Sequence, residues 1–379
     1  MTVRRRRVGI NLCWLVPGGV GGSEQATVRA LAALHRRAPR NFEIVLLAST
    51  GFVDAYPELA SSFETHTIPL PAGRRAVRVL AEHTWLPAMV RRLGIDLLHD
   101  AGGTSPGSVE VPRVLTIHDI QPLLYPQRFP RTRVAFLRRA IPSAVAGARR
   151  ITVPSAFVRS SLVEHLDADP DRIDVVPWST PDVGGRADVD LVRGRWGLQG
   201  PTLVLPAITY AHKDHITAIR AVGHLVDRHP DLKLVLPGGV GPAEPDVLAE
   251  IKRLGLGGRV IRTGRLPNAS VLALIEGATA VVFPSRYEGF GIPVLEAMSL
   301  GAPVVAADAG ALVEVIGDAG VVFPAGDDHQ LAIEVHRVLS DEVHRASLVD
   351  AGRLRAATFG PERTAERLLA AYRSASIGQ

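Results

Sequence analysis

Short β-rich runs alternate with helical stretches along the whole chain, and the alternation breaks once. In the first half, strand-like runs at 7–12, 42–49, 65–70, 96–99, 113–118, 149–154 and 173–177 interleave with helical patterns at 23–37, 75–92, 131–147 and 156–166. The stretch "PWSTPDVGGRADVD" (177–190), rich in Pro, Gly and Asp, interrupts them. A second series then starts at "TLVLPA" (202–207) and continues through 232–238, 259–264, 280–285, 303–308 and 320–326, with helices between and after. Alternation of this kind predicts a parallel sheet covered by helices on both faces. Two series in 379 residues predict two doubly wound α/β domains, 1–180 and 200–360, joined by a hinge at 181–199. In such sheets ligands bind beyond the carboxyl ends of the strands, so the expected site is the crevice between the two domains.

Composition narrows the class. Hydrophobic residues make up 46% and charged residues 21%, enough to bury two cores and too little charge for a disordered chain. The lone cysteine, Cys13, cannot form an internal disulfide or a cysteine-rich metal site, which fits a reducing, cytoplasmic setting. "MTVRRRRVGINLCWLVPGGVGG" begins like a signal peptide, but its apolar part is short, contains Asn11 and runs into glycines, so it reads as a first buried strand. No apolar run approaches the roughly 18 residues that span a bilayer. The net charge is +5, and residues 1–180 hold 23 Arg against 15 acidic residues, so the excess lies in the first half. The Arg-rich helices at 74–92 and 128–150 suit either a solvated outer face or peripheral contact with an anionic membrane. No nucleic-acid recognition motif accompanies the charge.

Two glycine-rich loops stand where strands meet helices. "VPGGVGGSEQ" (16–25) follows the first strand, but Glu24 occupies the third position of a dinucleotide fingerprint, and the second strand ends in "LLAST" without an acid for a ribose. These departures argue against a nicotinamide or flavin cofactor. What remains is a bare-backbone loop, either an anion- or hydroxyl-binding turn or simply a tight strand–helix connection. The second loop lies in "YEGFGIPVLEAM" (287–298). Gly289 and Gly291 permit a sharp turn, and Pro293 suits the first turn of a helix. Glu288 and Glu296 bracket the backbone donors from Phe290 onward, an arrangement suited to a polyhydroxylated ligand carrying phosphate. Each acid also has a plain reading, Glu296 as a partner of the helix dipole and Glu288 as a solvated loop residue. The 13 histidines are scattered, and "HKDH" (212–215) lacks a zinc context, so no metal site is expected.

At these residues the chain resembles the retaining nucleotide-sugar glycosyltransferases of family 4, the "glycosyl transferases group 1" type with GT-B architecture. "PSRYEGFGIPVLEAMSLGAPVVAADAGALVEVIGDAG" (284–320) is similar almost throughout, with Glu288 and Glu296 in E-x7-E spacing. "TIHDIQPLLYP" (116–126), "VPSAFVRSSLVE" (153–164) and "ERTAERLLAAYR" (362–373) extend the likeness along the chain. The resemblance implies a donor domain at 200–360, an acceptor domain at 1–180, and a C-terminal helix, 361–379, that crosses back to join the acceptor domain. It implies that Glu288, Gly289, Phe290 and Gly291 hold the donor sugar and Glu296 the ribose. Lys213 would neutralise the departing diphosphate, with His212 beside it. His118 would face the transferred sugar, Gly19 and Gly21 would approach phosphate or acceptor, and Leu266 in "TGRLPN" (263–268) would contact the base. Many relatives carry an Arg several residues before the Lys and another just before it. Here those places hold Ala207 or its neighbours and His212, leaving His212, Arg286 or Arg265 to compensate.

The implied activity is a metal-independent, retaining transfer of a hexose such as mannose from a GDP- or UDP-sugar to a glycan, lipid-linked or small-molecule acceptor, as in polysaccharide biosynthesis. No cofactor is implied beyond the donor itself. Two other classes stand beside it: a GT-B-fold nucleotide-sugar epimerase and a non-catalytic nucleotide-sugar binding protein. Changed free sugar without acceptor would mark the first, and binding without turnover the second.

Overall fold

The computed structural model of the protein describes residues 4–19, 21–68, 75–107 and 109–377, the side chains at 75–78 and 81 apart. Val20 and the end of the strand expected at 65–70 therefore lie outside the described residues. The chain divides into two compact units, Met1–Ser179 with Gly360–Gln379, and Thr180–Phe359.

The first unit contains a seven-stranded parallel sheet: β1 (Arg6–Asn11), β2 (Phe42–Ser49), β3 (Glu64–Ile68), β4 (Leu97–Asp100), β5 (Arg113–Thr116), β6 (Arg150–Val153) and β7 (Ile173–Val175). Their spatial order is β3-β2-β1-β4-β5-β6-β7. The second unit has six parallel strands: β8 (Thr202–Val204), β9 (Lys233–Pro237), β10 (Val260–Gly264), β11 (Ala280–Phe283), β12 (Val304–Ala307) and β13 (Val321–Phe323), in the order β10-β9-β8-β11-β12-β13. Both are Rossmann-like, so the chain carries two such domains. In each, the order reverses beside the first strand, between β1 and β4 and between β8 and β11. The strands read as nearly continuous apolar runs because helices cover both faces; in β2 only Glu43 is exposed.

Helix starts follow local chemistry. Ser155 accepts from the Val158 N–H at 3.2 Å, and Asp327 from the Gln330 N–H at 2.8 Å. The helix Pro361–Ser376 belongs to the first unit, where Ala365, Leu368, Leu369, Ala371 and Tyr372 enter the core with Leu31 and Leu34. Tyr372 is fully buried and its hydroxyl lies 2.8 Å from His99 Nδ1.

Several elements differ from the sequence reading. The stretch 181–199, read as a hinge, holds the helix Val189–Arg195, which that reading lacked; it is capped by Asp188 and packed on the helix Asn268–Glu276. Arg193 fastens it by donating to the carbonyls of Leu198, Gly200 and Gly277. Two short helices, Thr50–Ala55 and Pro57–Ser61, follow β2 directly. Their signals, Ser49 at an N-cap and Pro57 in a first turn, are local and hold too few residues for periodicity to register. Among the described residues no helix is long and apolar enough to cross a membrane. The Arg-rich helix Arg131–Gly147 leaves Arg131, Arg138, Arg139 and Phe136 exposed.

The β1–β4–β5 region of the first unit buries ionisable groups, and this gives its stability a pH dependence. Burial pushes His99 down to about 3 and His118 down to about 4, and pushes Asp100 up to about 6. The histidines fold as neutral rings, so their contribution is present above pH ~6.5 and is lost as the unfolded chain takes up protons that the folded chain refuses. Asp100 acts oppositely: its contribution is full below its unfolded pKa and fades as the pH rises through about 6. Two groups oppose one, so the unfolding midpoint should fall as the pH is lowered from 7.5 to 5. His99 alone sets a slope of at most about 1.4 kcal/mol per pH unit. Denaturant melts at both pH values check this, and Asp100→Asn should steepen the acid loss; a flat profile would contradict it.

Candidate active site

In the second unit, the chemistry gathers at the switch between β8 and β11. The chain leaves β8, makes a 3-10 turn at Ala211–Lys213, and enters the helix His215–Leu225 through Asp214. Asp214 adopts φ 48°, a left-handed conformation that Asp tolerates better than most residues. Its carboxylate accepts from Thr217 Oγ1 at 2.8 Å and from Arg286 Nε at 2.7 Å. The turn is thereby locked to the segment that follows β11, and the Arg286 N–H donates to the His212 carbonyl at 2.8 Å.

The consequence is that Lys213 and Glu288, 75 positions apart in sequence, meet. Lys213 Nζ lies 2.5 Å from Glu288 Oε1, and Ser285 Oγ donates to the same oxygen at 2.9 Å. Both side chains are largely covered, at 23% and 16% exposure, so the pair is screened less than a surface bridge. Glu288 is also held by its backbone. Its carbonyl accepts the Ala311 N–H at 2.9 Å, and Gly310, at φ 59°, lets the two segments touch: a Cβ there would lie 2.3 Å from the Glu288 carbonyl oxygen.

Beyond Glu288 the glycine turn opens a helix. Gly291, at φ 107°, is the N-cap of Ile292–Ser299 and supplies no side-chain acceptor to the first amides. Pro293 has no N–H and the Val294 N–H donates to the Gly291 carbonyl at 3.0 Å, so the helix start presents its positive end and the Ile292 N–H. Phe290 is buried, and its ring packs edge-on against Phe359 at 5.8 Å, so its side chain anchors the turn while its amide remains in the backbone row. Glu296 is half-buried one turn beyond Pro293 on the same helical face. His212 stacks on Tyr210 at 5.7 Å, and Leu266 is half-buried in the loop after β10. Gly289 lies on the turn itself. Of the cations suggested as replacements, Arg286 is partly neutralised by Asp214, and Arg265 is exposed.

In the first unit the switch between β1 and β4 carries a different set. Asn11 Nδ2 donates to Asp100 Oδ1 at 3.0 Å, and Ser105 Oγ donates to Asp100 Oδ2 at 2.5 Å, so each oxygen of that carboxyl group has a partner inside the protein. The glycine loop is also partly committed. Glu24, buried, accepts the Gly18 N–H with both oxygens at 2.9 and 3.0 Å and the Tyr56 hydroxyl at 2.6 Å. Burial and this carboxylate push Tyr56 up to about 12. The Gly19 N–H donates to Val16 O at 2.9 Å, and Gly21 starts the helix Gly22–Arg37 at φ 71°. A carboxylate of the chain itself thus occupies the place where the sequence suggested an incoming anion. A loop already satisfied by a negative charge is better suited to a hydroxylated ligand than to a phosphate.

His118 sits two residues past β5. Its Nε2 is 2.9 Å from the Ala101 carbonyl, which can only accept, so Nε2 carries the proton and Nδ1 is left as an acceptor. Nδ1 is shielded and has no partner, and the same holds for the indole Nε1 of Trp14. The two rings are 5.4 Å apart, and Trp178 flanks His118 at 5.6 Å. Trp14 reaches this position because residue 102 is glycine; a Cβ there would lie 2.3 Å from its ring. The two adjoining rings thus leave one acceptor and one donor unsatisfied.

Both units match models of known protein families. The family model "Glycosyltransferase Family 4" matches residues 20–178, and "Glycosyl transferases group 1" matches residues 200–355. The chain is 30% identical over 286 residues to 2-deoxystreptamine glucosyltransferase of Streptomyces kanamyceticus, covering 72% of this chain and 73% of that one. This chain belongs to the family 4 (group 1) glycosyltransferases. The glycosyltransferase is also 29% identical to O-antigen chain mannosyltransferase B of Escherichia coli, covering 69% of this chain and 70% of the relative. It is 32% identical to D-inositol 3-phosphate glycosyltransferase of Frankia alni, there spanning only 60% of the relative's length. Solved structures share the fold: sucrose-phosphate synthase from Thermosynechococcus elongatus at TM-score 0.76 with 19% identity, and Anabaena HepE in complex with UDP and glucose at TM-score 0.73 with 20% identity, each covering at least 97% of both chains.

Sequence reasoning missed Asp214, Gly310, Glu24 and Trp14 in this glycosyltransferase. Asp214 and Gly310 act through partners 72 and 22 positions away, and no local pattern announces such contacts. Glu24 was noticed only as a break in a fingerprint. Trp14 looked like part of an apolar strand, and only its orphaned N–H marks it.

Proposed function

We propose that the protein transfers a hexose from a nucleoside diphosphate sugar to a hydroxyl acceptor with retention of configuration and without a metal ion. The observation that carries this reading is the Lys213–Glu288 contact of 2.5 Å at the β8–β11 switch, next to the uncapped helix start at Gly291. Lys213 and the helix amides face the diphosphate, whose charge grows as the bond to the sugar C1 breaks. Glu288 accepts from sugar hydroxyls, and Glu296 holds the ribose. The acceptor oxygen bonds to C1 on the face the diphosphate leaves, and its proton passes to the departing phosphate oxygen. HepE is described with UDP and glucose and the E. coli relative as a mannosyltransferase, which supports a UDP- or GDP-hexose donor and a glycan-type acceptor. In the first unit, the Trp14–His118 pair reads one hydroxyl of a substrate.

A donor panel tests the reading. GDP- and UDP-hexoses are offered with oligosaccharide and cyclitol acceptors in the presence of EDTA, and released nucleoside diphosphate and the product anomer are followed. Transfer with retained configuration is expected. Activity that requires an added divalent ion, or an inverted product, would reject the corresponding part. Trp14→Phe should raise KM for the substrate that carries the hydroxyl while leaving the fold intact.

A further inference from the structure

The helices His215–Leu225 and Asp328–Ser340 pack side by side in the second unit, and histidines from both come together at one end of their seam. His224 Nε2 lies 3.1 Å from Asp328 Oδ1, and His329 Nε2 lies 4.0 Å from the same oxygen. One ligand atom from each of the three residues falls within 4.8 Å of the others. The two imidazoles lie face to face at 3.9 Å. The second carboxylate oxygen, Asp328 Oδ2, is 4.0 Å from an Arg220 nitrogen, and Arg220 is itself held by Glu250 at 2.5 Å.

We propose that His224, Asp328 and His329 form a binding site for a divalent transition-metal ion, zinc in the first instance, that ties the two helices together. Two imidazoles and one carboxylate make a nitrogen–oxygen set that zinc, nickel and copper accept and that magnesium and calcium do not favour. Bonds of about 2.0 Å in a tetrahedral site place ligand atoms roughly 3.3 Å apart, against 3.1 and 4.0 Å here and at most 4.8 Å between the two histidines, so closing the set takes movements of the rings out of their stack. His329 can supply them, because it is 76% exposed and free to rotate out of the stacked arrangement. His224 Nε2 is already within 3.1 Å of Asp328 Oδ1, and Arg220, 4.0 Å from Oδ2, places a positive charge on the far side of the carboxylate, where outer partners of ligating carboxylates lie. A water molecule completes the coordination. His224 lies ten residues from Asp214, at the opposite end of the helix His215–Leu225, so the site braces the unit and takes no part in sugar transfer.

The test uses untagged full-length protein. Zinc is titrated against a chromogenic chelator, and cobalt is added separately to read its visible absorption bands. One equivalent is expected to bind, with a rise in melting temperature, and binding should weaken at least tenfold in His224→Ala and in His329→Ala. His229→Ala is the control: His229 pairs instead with His336 at 2.8 Å along the same seam and should leave binding unchanged. Absence of binding at micromolar zinc, or equal binding in His224→Ala and His329→Ala, would overturn the proposal. The sugar-transfer rate of both variants should match that of the natural protein, so failure of the metal site is distinguishable from failure of the transferase assignment.

Discussion

Lys213→Ala should lower kcat by about 10²- to 10³-fold, the loss seen when a preorganised charge aimed at the developing leaving group is removed. Glu288→Ala should fall in the same range, and Glu288→Gln by less, because the amide keeps one acceptor for a hydroxyl. The structure adds a sharper expectation. Lys213 Nζ and Glu288 Oε1 are 2.5 Å apart, so each side chain positions the other. Removing one leaves the other partly covered and unpaired, which is costly in itself. The double variant should therefore be no slower than the worse single variant, a departure from additivity that a double-mutant cycle reads directly. Additive losses would show that the two groups act separately, and unchanged rates would remove them from the site. Circular dichroism and melts keep folding and chemistry apart.

Gly310→Ala should damage stability and activity together. Two effects coincide there. The backbone sits at φ 59°, where a Cβ is disfavoured, and that Cβ would meet the Glu288 carbonyl oxygen at 2.3 Å and its nitrogen at 2.8 Å. Neither contact belongs to a flexible side chain, so the Glu288 turn must move. The conformational cost alone is about 1–2 kcal/mol, and relief of the clash adds to it. A displacement near 1 Å at a positioned catalytic group costs about 100-fold in rate. The expected outcome is a lower melting temperature with kcat/KM reduced by more than tenfold at a temperature where the protein stays folded. Gly257→Ala is the control: its Cβ would meet nothing within 4 Å, and both properties should be unchanged. A Gly310→Ala enzyme of normal rate would mean that the Ala311–Glu288 contact does not set the site.

The plan of the molecule was readable from the chain because periodicity is a local property. Alternating apolar runs and helical patterns placed the strands and the long helices of the described residues to within a few positions, since a parallel strand covered on both faces must be apolar throughout. The glycine turn after β11 was legible for the same reason: Gly289, Gly291 and Pro293 each report a backbone requirement of their own segment. Shorter elements were not, because the helix Val189–Arg195 holds only two turns, and loop-forming residues around it outweigh the Asp188 cap.

What tertiary structure alone decided was partnership. The meeting of Lys213 with Glu288 depends on β8 and β11 lying next to each other, although β9 and β10 intervene in sequence. The same adjacency gives Arg286 to Asp214 and so withdraws part of a charge that composition had left available. In the first unit, folding turned the anomalous Glu24 into the internal acceptor of the glycine loop, and it left Trp14 and His118 each short of one hydrogen bond. A hydrogen bond or a contact depends on distance in space, which a linear pattern specifies only within one turn of helix or one strand; beyond that range the packed core sets it.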